Sequence, residues 1–182
     1  MQPSRNYLYL PLGDNAPHEI NVVVEISQGS RNKYEYDKEL DIFRLDRALH
    51  SPIFYPGDYG FVPRTLAEDN DPLDVLILVT EPTFPGCLVV ARPIGVLKMV
   101  DEGETDDKIV AVPCGEPEYN EVTAHTQIFP HQLRKISHFF ETYKFLEGKR
   151  TSTLGWGDDN EARRIVNECA QRFRAVHGDR PS

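Results

Sequence analysis

The chain has 182 residues, with 20 Lys and Arg against 29 Asp and Glu and a net charge of −9. This length suits a single domain spanning 1–182 with a real core, and the acidic balance disfavours a nucleic-acid backbone as the main partner. Three cysteines, Cys87, Cys114 and Cys169, without a CxxC pair argue against a disulfide framework or zinc ribbon. No segment approaches the roughly 18 apolar residues of a membrane span, and the N-terminus lacks a signal-peptide core, so a soluble cytoplasmic protein is expected.

In chain order, the first twenty or so residues carry little motif content. In "NVVVEIS" (21–27), Val22, Val24 and Ile26 alternate with Asn21, Val23, Glu25 and Ser27, the period-2 pattern of a half-buried strand with Glu25 facing away from Val22. After the loop "QGSRN", the run "KYEYD" sets Lys33, Glu35 and Asp37 against Tyr34 and Tyr36, and the two runs are expected to form a hairpin. Further strands are expected at 75–79, at 88–100 with an interruption at Pro93, and at 109–112. Two helices close the chain. In the first, 130–147, Leu133, Ile136, Phe139, Phe140, Tyr143 and Leu146 share a face, Pro130 suits the first turn and Gly148 the C-cap. In the second, 159–176, Ala162, Ile165, Val166, Cys169, Phe173 and Val176 form a stripe, and Asp158 with Glu161 suits a capping box. The expected class is α+β, mainly β: a small β-barrel covered by helices.

The chemistry concentrates in "EDNDPLDVL" (68–76), where Glu68, Asp69, Asp71 and Asp74 crowd together before an apolar run. Asn-Asp-Pro is good turn chemistry, and a solvated turn is the plain reading. Against it, Asp71 and Asp74 abut a strand expected to be buried, where unpaired carboxylates are costly and a hard cation would remove the cost. An EF-hand fails on detail, since its sixth position would be Asp74 instead of Gly and its twelfth Thr80 instead of Glu. A second acidic run, "DEGETDDK" (101–108), reads for the most part as an exposed hairpin loop. Two such loops flanking strands of one barrel could nevertheless converge, and cations held by carboxylates are what phosphoryl transfer needs. Lys33, Arg47, Lys108 and Lys144 are candidates for holding phosphate, with Tyr55, Tyr59 and Tyr143 as hydrogen-bond donors. Taken singly, each reads more readily as surface charge or packing. Walker A, GxSxG and HExxH patterns are absent.

"DNDPLDV" (69–75) matches, position by position, the signature of the soluble family I inorganic pyrophosphatases. The resemblance continues in order through "VVVEI" (22–26), "NKYEYDK" (32–38), "LDR" (45–47), "FYPGDYGF" (54–61), "VLKMVDEGETDDKIVAV" (96–112) and "HFFETYK" (138–144), covering about residues 20–160. It implies an OB-like five-stranded barrel with helices, hydrolysis of pyrophosphate to two orthophosphates, and several Mg²⁺ ions per site. By this resemblance Asp69, Asp74 and Asp106 hold the first metal, with Asp74 bridging to a second. Asp101 and Asp106 hold a third, and Glu25 binds a fourth, partly through water. Asp71 is the general base. Lys33, Arg47, Tyr143 and Lys144 clamp the phosphates, with Tyr59, Lys108 and Glu35 in support. The short chain is similar to the prokaryotic type, a homohexamer, with the Phe139–Tyr143 helix as a candidate contributor to interfaces. The rival class is a non-catalytic binding module. A cation buffer leaves Lys33, Arg47 and Lys144 without a role, and an OB-type binder of single strands wants a basic groove that this chain lacks.

Overall fold

The computed structural model describes residues 6–178. Within them run β1 (Ile20–Ile26), β2 (Asn32–Asp37), β3 (Ile42–Ala48), β4 (Asp58–Phe61), β5 (Asp74–Ile77), β6 (Leu88–Asp101), β7 (Glu104–Thr105), β8 (Lys108–Pro113), α1 (Pro130–Thr142), β9 (Thr151–Gly157) and α2 (Asp159–His177). β1 pairs antiparallel with β4, β4 antiparallel with β5, β5 parallel with β8, and β8 antiparallel with β6, which returns to β1. These five strands close into a ring, an OB-like arrangement that leaves no open edge between its first and last members. β7 and β9 extend β6, and β2 with β3 forms a separate two-stranded sheet.

The ring strands are apolar on both faces, and this places the helices. Leu76, Val110 and Leu97 join one buried cluster with Ile136, Phe139, Phe140 and Tyr143 of the α1 region. Their neighbours Val75, Ile77, Ile109, Ala111 and Val96 join a second cluster with Ala162, Val166 and Cys169 of α2. A strand buried on both sides reads as a continuous apolar run, which explains why Val23 is as buried as Val22 and Val24 instead of facing solvent. Truncating a residue such as Phe140 to Ala would cost about 3–5 kcal/mol. Gly60 lets β1 and β4 approach, since a Cβ there would lie 1.9 Å from the Val23 carbonyl oxygen.

Several expectations are corrected. The partner of β2 is β3, with Lys33 opposite Arg47, and not β1, which is taken up by β4 and β6. What joins β1 to the β2–β3 hairpin is a side chain, because Glu25 Oε1 accepts from the Tyr36 backbone N–H at 2.7 Å. β6 runs through Pro93, which lacks a ladder donor, by slipping register between Pro93 and Gly95. α1 ends at Thr142 with Tyr143 as its C-cap, and Gly148, at φ 75°, closes the short 3-10 turn that follows instead of the helix itself. Only half of the capping box forms. Asp158 accepts from Glu161 N, whereas the Glu161 carboxylate turns to Lys98 and Arg164. Phe139, Phe140 and Tyr143 pack into the core at 3 %, 1 % and 5 % exposure, so the outer surface of α1 is made by other residues, such as His131, Lys135 and His138.

Candidate active site

The acidic loop is pinned before it reaches the sheet. Ala67 N donates to Asp71 O at 2.7 Å, and Asp71 N donates to Asp69 Oδ1 at 3.0 Å. Asn70, between them, takes φ 70°, a left-handed conformation that Asn tolerates better than most residues. Leu73 N donates to the buried Thr65 hydroxyl at 2.9 Å, which donates in turn to Val62 O. Asp74 then opens β5, and the parallel register of β5 with β8, Val75 opposite Ile109, brings Asp74 beside Lys108.

Lys108 is the buried cation of this wall. Its Nζ donates both to Asp74 Oδ2 and to Asp106 Oδ1 and lies 5.9 Å from the centre of the Tyr59 ring. Burial disfavours its charge, but the attraction of Asp74 and Asp106 outweighs that and raises its pKa. Asp106 is raised as well, first by burial and then by the other carboxylates, against the pull of Lys108. A second pair forms where Lys144 Nζ donates to Asp101 Oδ2 and lies 5.3 Å from the centre of the Tyr143 ring.

The hairpin supplies the remaining cations, each matched with an acid. Lys33 pairs with Glu35 and, at 3.5 Å, with Asp46. Arg47 pairs with Asp46 and, at 2.8 Å, with Glu147. Burial pushes Glu25 up to about 8, with Asp74 and Glu35 adding to the rise against the Tyr36 N–H and Lys33. Asp71 is raised by burial and then by Asp69 and Asp74, with Lys38 opposing. Burial also raises Tyr55, Tyr59 and Tyr143, so all three hydroxyls stay protonated and able to donate. Nearby acids act on them too: Asp74 on each, Asp106 on Tyr59 and Tyr143, and Asp101 on Tyr143.

Every candidate named from the sequence is therefore linked, by ion pair, hydrogen bond or mutual charge, into one network running from Glu25 and the hairpin to Asp101 and Lys144. Asp69, Asp74 and Asp106 also line a cleft of about 230 Å³ that continues to Lys98 and to Arg164 and Arg172 of α2. Sequence reasoning missed Asp46, Lys38 and Glu147. Asp46 lies inside the "LDR" stretch and had a signal there, whereas the turn holding Glu147 had none.

Among the described residues, no three acidic, imidazole or thiol groups close on one point as a formed metal centre would. Ammonium groups stand between the carboxylates instead. The donor set nonetheless fits a hard divalent cation: it is all carboxylate oxygen, it already attracts a positive charge at Lys108, and Asp101 Oδ1 is buried without a hydrogen-bond partner.

The family model described as inorganic pyrophosphatase matches residues 22–174. An inorganic pyrophosphatase from Nostoc sp. is 49% identical over 158 residues, covering 87% of this chain and 94% of its own. One from Haloferax volcanii is 52% identical over 162 residues, covering 88% and 92%. Among solved structures, an inorganic pyrophosphatase from Thermus thermophilus superposes with a TM-score of 0.91 at 43% identity, covering 93% of this chain and 99% of that one.

Proposed function

The chain belongs to the inorganic pyrophosphatase family, and from that premise we propose that it hydrolyses inorganic pyrophosphate to two orthophosphates, using Mg²⁺ at several positions and Asp71 as the general base. The observation that carries this reading is Lys108 clasped by Asp74 and Asp106: carboxylates for cations and cations for phosphate alternate in one network. When bound, a hard divalent cation offsets the charge of the substrate and makes a nearby water acidic. Asp69, Asp74 and Asp106 would hold the first such ion, with Asp74 shared with a second. Asp101 and Asp106 would hold a third, and Glu25 a fourth.

The chain's own groups then divide the remaining work. Asp71, its proton affinity raised by burial and by Asp69 and Asp74, accepts the proton of the attacking water. Lys33, Arg47 and Lys144 exchange their carboxylate partners for phosphate oxygens, and the protonated Tyr143 donates beside them. Lys108, Tyr59, Tyr55 and Glu35 support these groups. A phosphate-release assay tests the reading: rapid release from pyrophosphate with Mg²⁺ is expected, and no release, or equal release from simple phosphomonoesters, overturns it.

The same reading makes residues 1–182 one domain, working in the cytoplasm as a homohexamer without nucleic-acid or membrane partners. Among the described residues, no helix is long and apolar enough to cross a membrane. Phe54 and Phe129, 56 % and 73 % exposed, line one open groove of about 750 Å³, an apolar surface suited to a second copy of the chain. Light scattering at micromolar concentration that gives a stable particle near the chain mass of 20.8 kDa would contradict the assembly.

A further inference from the structure

α2 carries none of the candidate site residues, yet it is tied to the segment that carries three of them. Asp158 accepts from Glu161 N at 2.8 Å and starts the helix. Gly157 leaves room for the Glu161 carboxylate, since a Cβ there would lie 2.2 Å from Glu161 Oε2. Glu161 Oε1 accepts from Lys98 Nζ at 3.0 Å, and the same ammonium donates to Asp107 Oδ2 at 2.8 Å. The other oxygen, Asp107 Oδ1, accepts from the Met99 backbone N–H at 3.1 Å. Asp106 N in turn donates to Met99 O at 2.9 Å. The β6–β9 pairing slips between Lys98 and Met99, and at that slip a side-chain carboxylate serves a backbone N–H where a ladder is disturbed.

We propose that Asp107, held by Lys98 and Glu161, is a positioning residue that fixes Asp106 and Lys108 at their places in the site. The inference rests on the reading of Asp106 as a metal ligand. Asp107 lies between Asp106 and Lys108 in the chain but is directed to the opposite partners. Its side chain is 12% exposed, sheltered enough for its two bonds to define the path of the backbone. The clasp acts on both sides of Met99, so releasing Asp107 removes the tie of the 101–108 segment to α2 and leaves it to its backbone pairing and to the Lys108 and Lys144 ion pairs. Displacing a ligand by about 1 Å is enough to cost two orders of magnitude in rate, and losing an outer partner of a ligand weakens metal binding roughly 10- to 100-fold.

The test compares Asp107→Ala, Asp107→Asn, Lys98→Met and a control, Asp106→Asn, by Mg²⁺ calorimetry, steady-state kinetics and thermal melting. Asp107→Ala is expected to bind Mg²⁺ roughly 10-fold more weakly and to lose roughly 10-fold in kcat, with a small change in Tm. Asp107→Asn keeps an oxygen for Met99 N and should recover most of the Mg²⁺ affinity, with Lys98→Met falling between the two. Asp106→Asn that binds Mg²⁺ and turns over like the parent would bring down the site reading itself. If Asp106→Asn is disabled while Asp107→Ala is unchanged, or loses Tm and activity with Mg²⁺ affinity intact, the positioning role alone is overturned.

Discussion

Lys108 donates to Asp74 across 2.5 Å while it holds Asp106 at the same distance on its other side. On the proposed reading, an ammonium group and a divalent cation are rivals for the same carboxylates, and the same ammonium is a candidate partner for phosphate. Lysine and acid are matched in this way around the whole network, at Lys33 with Glu35 and at Lys144 with Asp101. Substrate that draws the lysines away would free carboxylate oxygens for metal, and metal would free the lysines for substrate. By linkage, each should bind better in the presence of the other.

Lys108→Met follows from this rivalry. With the buried cation removed, Asp74 and Asp106 face each other unscreened, and breaking such a pair costs about 3–5 kcal/mol in the metal-free protein. Mg²⁺ should restore more stability to the variant than to the parent, because it replaces the missing charge. Thermal melting across a Mg²⁺ titration is the check, and a smaller Mg²⁺-dependent rise in Tm for Lys108→Met would refute the rivalry.

Glu25 gives a pH prediction. Burial lifts its pKa to about 8 from an ordinary 4.5, so between these values the folded chain holds a proton that the unfolded chain has released. The associated stability is fully present below pH 4.5 and is lost as pH rises through 8. Glu25→Gln keeps an oxygen for Tyr36 N and never ionises. Without metal, it should melt a few degrees higher than the parent at pH 9 and at the same temperature near pH 4, since about 1 kcal/mol moves a domain of this size by roughly 2–4 °C. Equal melting temperatures at pH 9 would show that the carboxylate is not paying for its burial.

How far the sequence reveals the molecule depends on burial. The ring strands around Val22, Val75 and Ile109 and both terminal helices are legible because a core imposes a period on whatever packs against it. β3 is not legible in "IFRLDRA", since most of its residues are exposed and charges replace the apolar alternation. β4, "DYGF", is buried throughout and too short for any period to emerge. β9 alternates weakly, with Leu154 at 69% exposure. The acidic loop announces itself because like charges at close spacing need a physical reason. The meeting of Glu25 and Lys33 with Asp74 depends on ring closure and a side-chain bond to Tyr36, and no spacing along the chain encodes that. Glu147 reaches Arg47 from a turn with no motif, so only the folded chain reveals it.

Metal identity is the next expectation. The candidate ligands offer only oxygen, and the network is crowded by its own lysines, which favours a small ion with a tight shell. Ca²⁺ takes more ligands at longer distances than Mg²⁺, so it should bind while misplacing the water and the phosphates. Pyrophosphate hydrolysis should therefore run with Mg²⁺ and be inhibited when Ca²⁺ is added. Equal turnover with either ion, measured by phosphate release, would sink this account.

Asp71 and Asp74 lie three residues apart, yet the fold gives them different surroundings. Asp74 begins a strand and is bonded to Lys108, whereas Asp71 sits in the turn, and no ion pair to its carboxylate occurs among the described residues. Burial, Asp69 and Asp74 all raise the proton affinity of Asp71, which suits a group that must take up a proton. Asp71→Asn keeps the size and one oxygen but cannot accept that proton, so kcat should fall by roughly 10²–10⁴ while Mg²⁺ affinity changes little. Asp74→Asn removes a charge that the proposed reading shares between two cation sites and should weaken Mg²⁺ binding together with turnover. Calorimetric Mg²⁺ titration beside steady-state kinetics separates the two roles. If Asp71→Asn stayed near parental activity, the base would have to be sought elsewhere in the network, and if it lost Mg²⁺ as severely as Asp74→Asn, Asp71 would have to be reassigned as a metal ligand.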